Sequence, residues 1–278
     1  MSFGSFITFL DTQMETPGLY GWFHIMFLLI VIGASVLGAL CSRKMSDRTY
    51  RTVCLAVWAA VVLLEVYKQV VYSFSVEDSG AVVFDFQWYA FPFQFCSTPY
   101  FTLPLVFLTR EDSLLRKCGT AFLASFVMFA GLAVMLYPGD VFIGTVGINI
   151  QTMIHHGSMV ALGVLTAARY SHTLRLRDYA KGFAVFAVLV VVAFVMNEAV
   201  YAALVANAND ETFNMFFISR HFDCTLPVLS LFWGKVPYAV FVMIYFFGFA
   251  IAGGAIYALS VLLPEYIIKK RAAKCCGA

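Results

Sequence analysis

The chain has 278 residues, of which 62% are hydrophobic and only 12% charged, with a formal net charge of +2 and a mean hydropathy of +0.84. Soluble domains carry about 25% charged residues, so this composition excludes an ordinary soluble globule and makes a bilayer the natural solvent. No basic stripe suggests a nucleic-acid partner. Met1 to Glu15 holds no lysine or arginine, so no cleavable signal peptide is expected and the first apolar run would act as an uncleaved anchor.

Apolar runs of about 20 residues can cross the hydrocarbon core as helices. Seven are predicted, over residues 20–41, 53–74, 89–108, 118–137, 148–168, 182–205 and 236–263. The first carries His24 and is followed by Arg43, Lys44, Arg48 and Arg51. The second holds Glu65 and Lys68, three apart on one helix face and so able to neutralise each other. The third opens on Phe91-Pro92-Phe93-Gln94-Phe95-Cys96-Ser97-Thr98-Pro99, which places an amide, a thiol and two hydroxyls at the mouth of a span. Lipid cannot satisfy such groups, so they face other helices, a cavity or a substrate. Pro92, Pro99 and Pro104 are expected to bend this helix and to leave backbone carbonyls unpaired.

Arg110, Arg116 and Lys117 separate the third run from the fourth. The fifth holds Gln151-Thr152-Met153-Ile154-His155-His156-Gly157. Neighbouring helical residues point about 100° apart, so one histidine at most faces a given cavity squarely and the other binds a helix or a carbonyl. Arg169, Arg175, Arg177 and Lys181 follow, and the sixth run brings Asn197 and Glu198. The connection over 206–235 is too polar to span. Its Phe213, Phe216, Phe217 and Trp233 suit either the membrane interface or a return over the bundle. The last run is longer than a span needs, which predicts tilt or a kink at Gly253-Gly254.

The fold class expected is therefore all-α: one integral membrane domain over residues 1–278, a bundle of seven helices. With seven spans Arg43, Lys44, Arg48, Arg51, Arg110, Arg116, Lys117, Arg169, Arg175, Arg177 and Lys181, together with Lys269, Lys270, Arg271 and Lys274, fall on one side, with only Arg220 and Lys235 on the other and Lys68 inside the second span. The basic side is cytoplasmic, and the N-terminus lies outside. The outer connections contain Glu77, Asp78, Asp85 and Asp140. At about 1.5 Å per residue, Cys96 and Gln94 come roughly 7–11 Å below the outer end of their helix, and His155, His156, Asn197 and Glu198 roughly 10–12 Å below theirs. Glu65 comes at roughly 13 Å and His24 at roughly 6 Å. Convergence of polar groups from five helices in one half of the bilayer marks a functional cavity.

Most lone cysteines in helices are inert. Cys41, Cys54, Cys118, Cys275 and Cys276 fall on the cytoplasmic side, the last two beside a basic cluster that suits either acylation or a reduced tail. Cys96 and Cys224 are on the outer half, where a bridge between them would remove the free thiol.

The segments Phe23-His24, Pro92-x-Gln94-x-Cys96-Ser97, His155-His156, Asn197, Phe213-Asn214-x-Phe216 and Gly234-Lys235-Val236-Pro237-Tyr238 occur in the order of a known family. The chain resembles the multipass bacterial YwaF-like proteins and animal transmembrane protein 164. Gln94 stands where relatives often carry histidine. The resemblance implies an integral protein of a bacterial cytoplasmic membrane and a cysteine-dependent transfer of acyl chains between phospholipids. Cys96 would be the nucleophile and His155 or His156 the base, without a cofactor. A buried thiol is unreactive until a base takes its proton, and Glu65 or Glu198 is placed to orient that base. Gln94, Ser97 and Thr98 are candidate donors to an oxyanion, and Arg220 a partner for phosphate. His24 and Asn197 complete the polar set.

Two other readings use the same cavity. A transporter or small-ligand-binding membrane protein would take Glu65, Lys68, Glu198 and the histidines as its path, although no inverted repeat stands out. A metal site would use His155, His156, Cys96 and a carboxylate, against which stands the poor chelation of adjacent histidines on one helix. Retinal chemistry is excluded, because no lysine lies between Lys235 and Lys269 to form a mid-depth Schiff base.

Overall fold

Ser2 and Ser46 cap the first and third helices, each accepting a hydrogen bond from a backbone N–H three residues on, at 3.1 Å in both cases. In the computed structural model, which describes residues 2–139, 141–267 and 270, the helices in chain order are α1 (Phe3–Leu10), α2 (Trp22–Ser42), α3 (Asp47–Ser73), α4 (Pro99–Phe107), α5 (Leu114–Phe122), α6 (Met128–Leu136), α7 (Val146–Tyr170), α8 (Leu176–Ala206) and α9 (Tyr238–Tyr257). A π-helical turn over Leu123–Val127 joins α5 to α6 without a break. A second, over Ala258–Leu262, continues α9. Asp140, Lys269, Arg271, Lys274, Cys275 and Cys276 lie outside the described residues.

Five stretches are long and apolar enough to cross a membrane: Trp22–Ser42, Asp47–Ser73, Leu114–Leu136, Leu176–Ala206 and Tyr238–Ile267. The protein is all-α in its main elements and integral to a membrane. α2, α3, α8 and α9 expose leucine, isoleucine, valine and phenylalanine along their outer faces, among them Leu40, Leu63, Val191 and Ile251. α7 is different. It is 25 residues long and buries Asn149, Gln151, Thr152, His155 and His156 in its first half. α2 packs along one side of it and α6 along another. A helix enclosed by other helices can carry polar groups that lipid would not solvate. Gly131 of α6 permits that enclosure, since a Cβ there would lie 2.7 Å from the carbonyl oxygen of His156.

The third predicted helix does not form as one element. Residues 88–90 and 95–97 make single 3-10 turns, and only Pro99–Phe107 is α-helical. Pro92 forces Phe91 to an extended ψ of 136°, whereas Pro99 sits at the first helical position, where its missing N–H costs nothing. Pro104, inside α4, cannot donate to the carbonyl of Tyr100; the indole Nε1–H of Trp58 on α3 donates to it instead, at 2.9 Å. Of the tilt or kink expected in the last helix, no break occurs at Gly253-Gly254: α9 runs through both glycines, and its irregularity is the π turn that follows Tyr257.

Two features outside the helices have no strong periodic signal. β1 (Phe74–Val76) and β2 (Val82–Phe84) form an antiparallel hairpin with Phe74 opposite Phe84, and Phe3 of α1 packs edge-on against Phe74 at 5.6 Å. The connection after α8 returns into the bundle, where Phe213, Met215, Phe216 and Ile218 are fully buried. Phe216 and Phe217 take φ of 59° and 57°, conformations that cost a side-chain-bearing residue about 1–3 kcal/mol each and persist only when the surroundings enforce them.

Candidate functional site

The break ahead of α4 sets up the site. With residues 95–97 in a 3-10 turn, the carbonyl of Cys96 receives no backbone donor among the described residues. Nε2 of His155 donates to it at 2.9 Å. Nδ1 of the same ring faces the hydroxyl of Tyr100 at 3.3 Å, and that hydroxyl donates to Oε2 of Glu65 at 2.9 Å. Oε1 of Glu65 is held by Lys68 at 2.9 Å and by the amide of Gln69 at 2.7 Å. Gln69 also donates to the carbonyl of Ala90, which ties α3 to the chain leading into the site. Thus α3, α4 and α7 meet around one buried imidazole, and the Glu65–Lys68 pair expected from their spacing is present.

Proton positions follow from these partners. A carbonyl only accepts, so Nε2 of His155 carries a hydrogen, and in the neutral ring Nδ1 is then an acceptor. Tyr100 has a single hydroxyl hydrogen to share between Glu65 and Nδ1. The shorter contact, to Glu65 at 2.9 Å, takes it, and Nδ1 of the neutral ring is left facing the Tyr100 oxygen. In the other neutral tautomer Nδ1–H would donate to that oxygen and Nε2 would be bare.

Cys96 is half-buried and free. Among the described residues no hydrogen bond joins that thiol to either histidine; the contact is through the backbone carbonyl. Cys224 is also free, so it does not bridge to Cys96. Cys224 is buried in the long connection, where burial pushes its thiol up and keeps it protonated. His156 turns to its own helix, with Nδ1 donating to the carbonyl of Thr152 at 2.8 Å, and its ring meets that of His155 edge-on at 5.1 Å. One histidine thus faces Cys96 and the other satisfies a carbonyl.

The remaining predicted residues divide by what they touch. Gln94 brackets the strained loop, its amide donating to the carbonyl of Asn214 at 2.9 Å and accepting from the N–H of Phe216 at 2.9 Å. Asn197 does the same for Met215, at 3.0 and 2.7 Å. These four bonds enforce the positive φ values and seat Phe216 against Phe93 and Phe95, each at 5.7 Å, beside Cys96. Thr98 donates to the carbonyl of Phe95 at 2.8 Å, and Ser97 is buried. His24 donates through Nε2 to the carbonyl of Met135 and accepts through Nδ1 from the N–H of Tyr20, so both nitrogens are spent on structure.

Glu198 and Arg220 are not brought to His155. They pair with each other at 2.6 Å, with His221 at 3.3 Å from the same carboxylate, at an exposed position where the guanidinium is held above its usual range by that carboxylate. Of the two carboxylates able to orient a histidine, the structure connects Glu65 and not Glu198. Among the described residues no group of three or more His, Cys, Asp or Glu is placed to hold a metal ion.

Sequence reasoning missed Tyr100, the hub between Glu65 and His155, and Trp58, which supports its carbonyl. A tyrosine following Pro99 carries no periodic signal; only the packing of α4 on α3 brings its hydroxyl to a carboxylate 35 positions earlier.

A family model, that of the TMEM164 family, matches residues 19–260. No curated protein and no solved structure matches the chain at a significant level.

Proposed function

The chain belongs to the TMEM164 family, and from that premise we propose that it is a membrane-embedded acyltransferase in which Cys96 carries the acyl chain and His155 moves the proton. The observation that carries this reading is the buried imidazole of His155, fixed on Cys96 at one nitrogen and backed by Tyr100 and Glu65 at the other. The proposal includes seven crossings, formed by α2, α3, the segment ending in α4, α5 with α6, α7, α8 and α9. The N-terminus is outside and the C-terminus cytoplasmic, as the arginine and lysine placement supports.

The substrates are phospholipids of the outer leaflet, entering sideways with the head group near the long connection. In the neutral tautomer that carries its hydrogen on Nδ1, donated to the Tyr100 oxygen, His155 leaves the Cys96 carbonyl, presents a bare Nε2 to the thiol of the same residue and takes its proton. The sulfur then attacks the ester carbonyl of the donor lipid, forming a C–S bond. The C–O bond to glycerol breaks, and the imidazolium returns the proton to the leaving alkoxide, which departs as a lysolipid. The hydroxyl of an acceptor lysolipid, deprotonated by His155, attacks the thioester and the sulfur is reprotonated. Tyr100 and Glu65 act as positioning residues that stabilise the imidazolium in each half. Phe93, Phe95 and Phe216 exclude water, which favours transfer over hydrolysis.

Transfer of a labelled acyl chain between phospholipids by the purified protein tests the proposal: Cys96→Ala abolishes it and Cys224→Ala leaves it intact. The buried Glu65–Lys68 pair also supports a second reading, a transporter that uses this network as a proton path. That reading is favoured if Cys96→Ala retains full function and Glu65→Gln loses it.

A further inference from the structure

At the opposite end of α3 from Glu65, the short α4 leaves a cavity of about 350 Å³ between the two helices, lined by Asp47, Arg48, Arg51, Thr52, Leu55, Phe107 and Leu108. Its charges are not balanced. The carboxylate of Asp47 is taken by the buried Arg116, and Arg169 stands 3.9 Å from it. Arg116 and Arg51 also close the last carbonyls of α4, Arg116 through Val106 and Arg51 through its Nε, 2.8 Å from the oxygen of Phe107. Among the described residues no hydrogen bond engages the two terminal nitrogens of Arg51, on the edge of the guanidinium that fits two oxygens of one phosphate. Arg48 lies three residues earlier on the same helix face, and neither arginine has an ion pair among the described residues. Leu55 and Leu108 beside them are 45% and 70% exposed. Uncompensated guanidinium groups next to lipid-facing leucines match a ligand with a phosphate at one end and acyl chains at the other.

We propose that the cavity between α3 and the end of α4 binds the phosphate of an anionic phospholipid, with Arg48 and Arg51 on the phosphate oxygens and Leu55 and Leu108 along the acyl chains. The site is independent of acyl transfer at Cys96. It holds its lipid as a bound component of the fold, and Asp47, engaged by Arg116 and Arg169, offers that lipid little repulsion.

Native mass spectrometry of the purified protein from mixed phosphatidylglycerol and phosphatidylcholine nanodiscs tests the proposal. The wild type retains phosphatidylglycerol in preference to phosphatidylcholine. Arg48→Gln with Arg51→Gln lowers that preference by about thirtyfold, the loss expected for two arginines near the membrane surface. Arg43→Gln with Lys44→Gln, an equal removal of exposed charge on the preceding connection, leaves it unchanged. Equal losses in the two double variants would mean diffuse surface attraction and would overturn the site. So would an unaltered preference in the first variant, or displacement of the lipid by inorganic phosphate alone, which would indicate a free-anion site. Should the double variant not fold, Arg48→Gln alone carries the test, because that side chain makes no hydrogen bond or ion pair among the described residues; the loss is then about fivefold.

Discussion

Tyr100→Phe separates an oriented imidazole from a packed one. The substitution keeps the ring and removes a hydroxyl that donates to Glu65 at 2.9 Å and lies 3.3 Å from Nδ1 of His155. Glu65 keeps Lys68 and Gln69, so its carboxylate is not stranded, and the stability cost should stay near the lower end for a hydrogen bond to a charged group, about 1.5 kcal/mol. His155 has no such reserve: its Nδ1 loses its one hydrogen-bond partner among the described residues. One orienting bond of about 1.4 kcal/mol corresponds to a tenfold change in rate, so acyl transfer should fall at least about tenfold in kcat with KM unchanged. The assay pairs the thermal unfolding midpoint in detergent with the transfer rate of a labelled acyl chain. A lower midpoint with an undiminished rate would refute the reasoning, since Tyr100 would then be a structural strut and nothing more.

Other perturbations test the frame around that network. Trp58→Phe leaves the Tyr100 carbonyl without a donor and should cost about 1–3 kcal/mol in thermal unfolding; adding Pro104→Ala, which restores a backbone N–H at the position that can bond it, should recover much of the loss. Gln94→Ala removes both bonds of one bracket, so the segment around Phe216 should become open to limited proteolysis, and the protein should lose about 2 kcal/mol or more. Gly131→Ala drives a methyl to within 2.7 Å of the His156 oxygen and should destabilise by about 1–3 kcal/mol through separation of α6 from α7, read from the unfolding midpoint.

The helices that face lipid are the ones most easily read from the sequence, because an apolar run of fixed length is a direct consequence of bilayer thickness. The runs at 20–41 and 182–205 overlap α2 and α8 closely, with the structure extending α8 back to Leu176 through the Arg175–Asp178 cap. The run at 89–108, which holds Gln94, Ser97, Thr98 and three prolines among its apolar residues, breaks. Its outcome depends on which carbonyls find donors on other helices, and those donors, Trp58 and His155, are distant in sequence. The polar residues show the same division. Glu65 with Lys68 was legible as a local pair three apart. Gln94 and Asn197 looked like cavity groups, but they are occupied with the backbone of a loop whose return into the bundle has no local signature. Glu198 comes at the depth of His155 by residue count, yet it pairs with Arg220 away from that ring, since depth along a helix says nothing about the face presented.

The central claim is that Cys96 carries the acyl chain as a thioester. Incubation of the purified protein with a donor phospholipid, followed by intact-mass measurement, addresses it directly. The account expects one added acyl mass on the wild type, removed by neutral hydroxylamine and absent from Cys96→Ala, with Cys224→Ala acylated as the wild type is. An acyl adduct that persists in Cys96→Ala, or full lipid acyl transfer by that variant, would contradict it.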